Sequence, residues 1–450
     1  MKDIENTKKE APIKEAPFLG LTGMGGGVNS LMWAGAGTQK FDLYAWGLET
    51  SQWPSNHPNQ YYGFLAQNQA FGYKNSPVQV PGDWYKMWTG GVTGSYGNTA
   101  GGSKDDPGTL WMWGSNAHGN LGQNQGPPGN DNKRSSPTQV GTATNWENVS
   151  IARYTLGVKD DGTLWGWGCN QYGELGHNNK TEYSSPKQVG GDTNWGKDAN
   201  TVSASSPNAG QMSFAIKTDG TLWAWGSQTG GAFGLNGSVN TDYSSPKQIG
   251  TDTTWKTLAM GCSNVAAAIK TDGTLWAWGW NNGGACGQND RNQRSSPCQI
   301  PGTNWKQVTT SGRGYGTYAI KTDGTLWSWG YNFEGVLGLG YEPGAQGGTW
   351  KGRSSPTQIG TRTDWGWVDA GANNGSSVKG ITTDGKIFLW GVNTSDYSLG
   401  LGPAVNASKI SSPTQVANIS TKWGTDSAYD MDYAWSVAGT SGANFCLRQQ

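Results

Sequence analysis

The chain has 450 residues, of which 72 are Gly and 26 Trp, and its 32 Lys+Arg balance its 32 Asp+Glu. That length admits two or three ordinary domains or one large repeat domain, and so many rings exclude a disordered chain, because each brings apolar area that must be buried. The zero formal charge and a pI near 6.8 exclude the basic field of a nucleic-acid binder, and no stretch reaches the roughly 18 apolar residues of a membrane span.

The chain opens with "MKDIENTKKEAPIKEAP", which mixes both charge signs and lacks the apolar core of a secretory signal. "FLGLTGMGGG" follows. Residues 1–29 therefore read as a flexible arm, charged and then small and apolar. Phe18, Leu19, Leu21 and Met24 are its candidate docking residues.

Residues 30–450 read as a repeat array. The core "LWxWG", or a relative of it, ends at Trp46, Trp113, Trp167, Trp225, Trp278, Trp329 and Trp390, at intervals of 51 to 67 residues. A period of that size with strand-like units indicates a propeller. Within a copy, an apolar pair such as Ala268-Ile269 precedes a Lys-Thr-Asp-Gly turn, and "TLWAWG" follows. Next come an Asn/Gly loop, a Ser-Ser-Pro-x-Gln segment and a lone Trp, as at Trp305. The Asp-Gly supplies a hairpin turn, and the Pro opens a strand where a missing N–H does least harm. Four strands per repeat result, giving an all-β, seven-bladed propeller of about 50-residue repeats with a short extended N-terminal arm. Leu31-Met32-Trp33-Ala34 and the hairpin-like "DYAWSVAGTSGANFCL" near the C-terminus are expected to share a blade and close the ring.

Alternation in "TLWAWG" puts Trp276 and Trp278 on one face and Leu275, Ala277 and Gly279 on the other. Both rings are expected to fill the gap between neighbouring blades.

Motifs for chemistry are sparse. His57, His118 and His177 lie apart in polar loops and read as solvated side chains. The repeated Asp161, Asp219, Asp272, Asp323 and Asp384 are explained as turn formers. Cys169, Cys262, Cys286, Cys298 and Cys446 are scattered, without a CxxC, and read as free or buried thiols rather than a metal or disulfide framework. There is no P-loop and no nucleophile elbow, so no cofactor, metal or catalytic residue is expected.

What differs between copies is more telling. The loops after the cores run 48–74, 115–134, 169–183, 227–243, 280–294, 331–353 and 392–410. Equivalent loops of a ring emerge on one face, and length variation there suggests a contact surface. The two longest are rich in aromatics: Trp53, Tyr61, Tyr62, Phe64 and Tyr73 in one, and Tyr331, Phe333, Tyr341 and Trp350 in the other. These are the candidate partner or glycan contacts, set against the alternative that they cover their own blades.

"IKTDGTLWAWGWNNGGACGQ" followed by "SSPCQI" resembles the regulator of chromosome condensation repeat, over about residues 30–440. The resemblance implies a seven-bladed propeller. The Trp-rich, Lys-Thr-Asp-Gly variety also looks like propellers encoded by bacteriophages. That second likeness implies a non-enzymatic virion component, such as a fibre, spike or capsid-surface protein. Its arm would dock on other virion or scaffold proteins, and one propeller face would meet a host-surface glycan or protein. The expected location is then the virion, and otherwise the cytoplasm. The family likeness carries an alternative: guanine-nucleotide exchange, or another regulatory partner-binding role. A polysaccharide-degrading enzyme ranks third.

Overall fold

The computed structural model describes residues 28–31, 40–48, 66–68, 73–90, 99–125, 133–198, 200–205, 211–227, 230–236, 241–260, 264–311, 316–332, 335–341, 352–370, 377–384, 386–392, 409–415, 434–440 and 443–449. Within them the regular structure is β throughout, in six sheets. No helix there is long and apolar enough to cross a membrane.

Five sheets have four antiparallel strands each. The one around the fifth core is representative: Trp255–Met260, Val265–Lys270, Leu275–Gly279 and Arg294–Ile300, paired in that order. Its register sets Ala266 opposite Trp278 and Ala268 opposite Trp276, so the Lys-Thr-Asp-Gly turn closes the central hairpin. The first strands, Trp146–Ile151, Val202–Ser205, Trp255–Met260, Trp305–Thr310 and Trp365–Ala370, touch one another in sequence and lie toward the axis. The Ser-Ser-Pro strands form the half-exposed outer edges.

The sixth sheet corrects the expectation of seven blades: the propeller has six. The first two repeats share one eight-stranded sheet through the 18-residue strand Tyr73–Gly90. That strand pairs with Phe41–Leu48 up to Trp84, and with Thr99–Lys104 from Trp84 onward. The physical reason is the length of one link. Between the Gln of the Ser-Ser-Pro segment and the lone Trp, other repeats insert a longer turn such as Val140–Asn145, with Gly141 at φ +58°. Here only Val80-Pro81-Gly82-Asp83 intervene, and the strand runs on instead of turning. Lys40 holds this link through Asp83 at 2.5 Å. The same sheet takes in the hairpin Ala434–Thr440/Ala443–Gln449, which pairs with Phe41–Leu48, and Val28–Leu31, which pairs with Met87–Gly90.

The two tryptophans of each core have different fates. The second is fully buried at Trp113, Trp167, Trp225, Trp278, Trp329 and Trp390. It meets the lone Trp of its own sheet edge-on or tilted; Trp255 and Trp278 lie 6.1 Å apart. The first is only half-buried, which corrects the expectation for Trp276. Its indole N–H donates to Thr274 Oγ1 at 2.9 Å, and the Lys270 ammonium covers its face at 4.0 Å. The same Lys lies 4.7 Å from the Trp255 ring, so one cation bridges two rings, and this recurs at Lys159, Lys217 and Lys321.

Two ionisable side chains are sealed inside the last repeat. Asp369 and Lys379 face each other across adjacent strands and are fully buried. Burial pushes the carboxyl up and the ammonium down, each toward its neutral form.

Candidate functional site

The loops after the cores share a backbone plan with a local cause. In the pattern Trp-Gly-x-Asn-x-x-Gly-x-Leu/Cys-Gly, the Asn carboxamide oxygen accepts the N–H five residues on: Leu121 to Asn116, Leu175 to Asn170, Cys286 to Asn281 and Leu337 to Asn332, at 2.8–3.0 Å. Each loop then reaches into the next repeat. The backbone N–H groups of Asn124, Asn178, Asn236 and Asn289 donate to the carbonyls of Ser184, Ser244, Ser295 and Ser354. The loops are thus fixed at the junctions between repeats.

At the junction of repeats two and three the variable positions of these loops carry chemistry. His118 comes from the loop of repeat two, and Cys169 and Glu182 from that of repeat three. One ligand atom from each lies within 4.8 Å of the other two. His118 Nδ1 is 3.3 Å from a Glu182 carboxylate oxygen. Cys169 is fully buried, and its thiol is pushed up in pKa by that burial. Gln211 Nε2 approaches the sulfur at 3.4 Å. Glu174, also fully buried, lies against the same thiol. One of its carboxylate oxygens accepts the Tyr172 N–H at 2.7 Å, while Oε1 has no hydrogen-bond partner. Burial raises this carboxyl to about 7. Tyr154 completes the wall, with its hydroxyl donating to the Met212 carbonyl at 2.6 Å.

These residues break the repeat rule. The place of Cys169 is Ser115 and Ser227 in the flanking repeats, and that of Glu174 is Asn120, Ala232, Ala285 and Val336. At the junction of repeats four and five the same place is taken by Trp280, 41% exposed and the exposed large hydrophobic among the described residues. Its backbone N–H donates to the Asn264 carbonyl at 2.9 Å. Its Cβ stands over Gly230 of the preceding loop, beside Gln293.

Of the aromatics singled out from sequence, Tyr331 and Tyr341 are the two whose side chains the structure describes. Both are half-buried. Tyr341 lies under the Arg353 guanidinium of its own repeat at 5.2 Å, and burial raises its phenol. It therefore covers its own sheet. Tyr73 opens the strand Tyr73–Gly90, opposite Leu48. Trp53, Tyr61, Tyr62, Phe64, Phe333 and Trp350 fall outside the described residues, as do Phe18, Leu19, Leu21 and Met24 of the arm. Sequence reasoning passed over Trp280, Glu174 and the His118–Cys169–Glu182 cluster. The available signal was their departure from the residue that the other copies place there. The solvated reading is also corrected for His118 and His177, while His57 falls outside the described residues. His177 is half-buried, bonded to the Gly166 carbonyl at 3.2 Å and edge-on to Tyr183, and burial lowers its imidazole.

The regulator of chromosome condensation (RCC1) repeat model matches residues 107–154, 161–205 and 272–314. Among curated relatives, the ultraviolet-B receptor UVR8 of Arabidopsis thaliana is 24% identical over 62% of this chain and 60% of its own length. The mitochondrial RCC1 domain-containing protein RUG3 of the same plant is 26% identical over 65% and 63%. The matched region thus spans about three fifths of these relatives. Among solved structures, Prp20p of Saccharomyces cerevisiae, studied for its binding to Gsp1p and histones, superposes with a TM-score of 0.68. It is 16% identical, with 92% of each chain covered. Human WBSCR16 superposes at 0.64, with 18% identity over 91% of this chain and 99% of its own. Three segments of the chain match the RCC1 repeat, and the fold is that of the β-propellers it superposes on.

Proposed function

We propose that this propeller is a regulatory, partner-binding protein that docks another protein on the face carrying the core-following loops and performs no covalent chemistry itself. The observation that carries this is Trp280. It sits at a position that is a small buried residue in repeats two to four, and it presents an apolar ring with a polar edge to solvent. Large aromatics of this kind anchor protein interfaces. Tyr331 holds the equivalent place in the next repeat, where it is half-buried.

The likeness to Prp20p supports a protein partner and makes guanine-nucleotide exchange the specific form to test first. The relatives named above are plant, yeast and human proteins, so the virion reading rests on Trp-rich sequence character alone and is not carried further. The test is proximity labelling in the source cells with the wild-type chain and Trp280→Ala, followed by binding measurements with each purified candidate. A partner bound by the wild type and at least tenfold more weakly by the folded variant supports the reading. If that partner is a small GTPase, release of a labelled guanine nucleotide tests exchange. Unchanged binding by Trp280→Ala removes the docking site, and recovery of structural particle proteins alone overturns the regulatory role.

A further inference from the structure

The His118–Cys169–Glu182 cluster is built from two loops that hydrogen bonds from their backbone N–H groups already hold in place. Asn124 N–H binds the Ser184 carbonyl at 2.8 Å, two residues after Glu182, and Leu175 N–H binds Asn170 Oδ1 at 3.0 Å, next to Cys169. The residues facing one another at this level can be compared between junctions. Gly230 and Gln293 occupy the equivalent places at the junction of repeats four and five, where Gln293 Nε2 would stand 3.0 Å from a Cβ on Gly230. At the junction of repeats two and three the same two places hold an imidazole and a carboxylate, with a thiol beside them.

We propose that His118 Nδ1, Cys169 Sγ and the Glu182 carboxylate bind a divalent transition-metal ion of the zinc type, which ties the loop of repeat two to that of repeat three. An imidazole, a thiolate and a carboxylate form the donor set of a four-coordinate zinc site and suit neither calcium nor magnesium. The spacing agrees. Zinc bonds of about 2.0–2.1 Å at tetrahedral angles put nitrogen and oxygen about 3.3 Å apart. His118 Nδ1 and Glu182 Oε1 stand at 3.3 Å. The longer separations, up to 4.8 Å, close by roughly an ångström when the larger sulfur joins the metal.

A second, independent observation points into the same place. Glu174 is fully buried against the Cys169 thiol, and its Oε1 has no hydrogen-bond partner. A buried oxygen without a partner is destabilising, and a water bound to a cation at the sulfur would give it one. Binding exchanges the thiol proton for the metal: the S–H bond breaks, the S–metal bond forms, the proton goes to water, and nothing is oxidised or reduced.

The test uses the full chain, stripped with a chelator and titrated with Co2+ and then Zn2+. The wild type is expected to bind one equivalent, to show the near-ultraviolet charge-transfer band of a cobalt thiolate, and to lose that band on addition of zinc. Cys169→Ser installs the residue that repeats two and four carry there, so the fold has a precedent for it. It is expected to abolish the band and to weaken zinc binding at least about tenfold. His118→Gln and Glu182→Gln are expected to weaken binding while keeping the band. Cys286→Ser with Cys298→Ser removes the other described thiols and is expected to change nothing. Absence of a saturable thiolate band in the wild type, or its survival in Cys169→Ser, overturns the proposal. Either result leaves the docking role of Trp280 untouched.

Discussion

Trp278 donates its indole N–H to the carbonyl oxygen of Ala232 at 2.7 Å, from the core of repeat five to the loop of repeat four. The relationship recurs between Trp167 and Asn120, Trp225 and Glu174, Trp329 and Ala285, and Trp390 and Val336. It explains why these positions are Trp rather than another large apolar residue. The ring fills the space between sheets, and its one donor binds a loop carbonyl that at Asn120, Glu174, Ala285 and Val336 also accepts a hydroxyl, from Thr155, Ser213, Thr317 and Tyr318, and at Ala232, among the described residues, does not.

Two substitutions separate those contributions. Trp278→Phe keeps an aromatic ring but leaves the buried Ala232 carbonyl without its donor, and is expected to lower stability by about 1–3 kcal/mol. Trp278→Ala also opens a cavity and is expected to cost about 3–5 kcal/mol. Urea unfolding of the two variants measures both. Equal losses would assign the whole effect to the hydrogen bond.

The loop glycines give a second contrast. Gly284 has φ +79°, and a Cβ there would stand 2.8 Å from Ser354 Cα of the next repeat. Gly250 has φ +62° with nothing within 4 Å of the same atom. Gly250→Ala therefore carries only left-handed backbone strain, about 1–2 kcal/mol. Gly284→Ala adds a backbone clash and is expected to lose clearly more. Midpoints of chemical denaturation compare them.

Asp369 and Lys379 should behave as a unit. Lys379→Met leaves a buried carboxylate alone and is expected to cost about 3–5 kcal/mol, whereas Asp369→Ala combined with Lys379→Met is expected to be neutral or stabilising. Repeat five already places Ala259 opposite Ala267 at this register. The sign with pH follows from the raised Asp369 carboxyl: its folded form prefers to be neutral. In Lys379→Met, stability is fully present below the ordinary carboxyl value of about 3.9 and falls as pH rises above it. Thermal unfolding of the single variant across pH reads this directly, and a flat profile would contradict it.

The hairpin turns predict the opposite slope at acid pH. Asp161, Asp219, Asp272 and Asp323 each accept from the backbone N–H and hydroxyl of the Thr two residues on, which holds their carboxyls below the usual value. A lowered carboxyl contributes stability above about 3.9 that is lost as pH falls through its folded value. Replacing Thr163, Thr221, Thr274 and Thr325 with Val removes the hydroxyl donors. Unfolding midpoints should then depend less steeply on pH in the acid range than those of the wild type.

Much of this was legible in the sequence, for one reason. A repeat states its packing rule several times, so Trp278, Gly279 and the Lys-Thr-Asp-Gly turn could be read as fold by comparing copies. The four-stranded unit, the all-β class and the turn role of Asp272 followed from periodicity and turn chemistry alone. The number of sheets did not. The link Val80–Asp83 looks like a minor shortening in one dimension, and only hydrogen bonding along Tyr73–Gly90 made it a continuous strand that merges two repeats. The burial of Trp276 and Trp278 was equally undecidable from alternation, which puts both on one face. Trp278 meets the neighbouring repeat, while Trp276 meets Lys270 and solvent. The sites follow the same division. His118 and Glu182 are 64 positions apart, in loops that each look like polar filler. Only the fixed step from one repeat to the next sets an imidazole, a thiol and a carboxylate side by side.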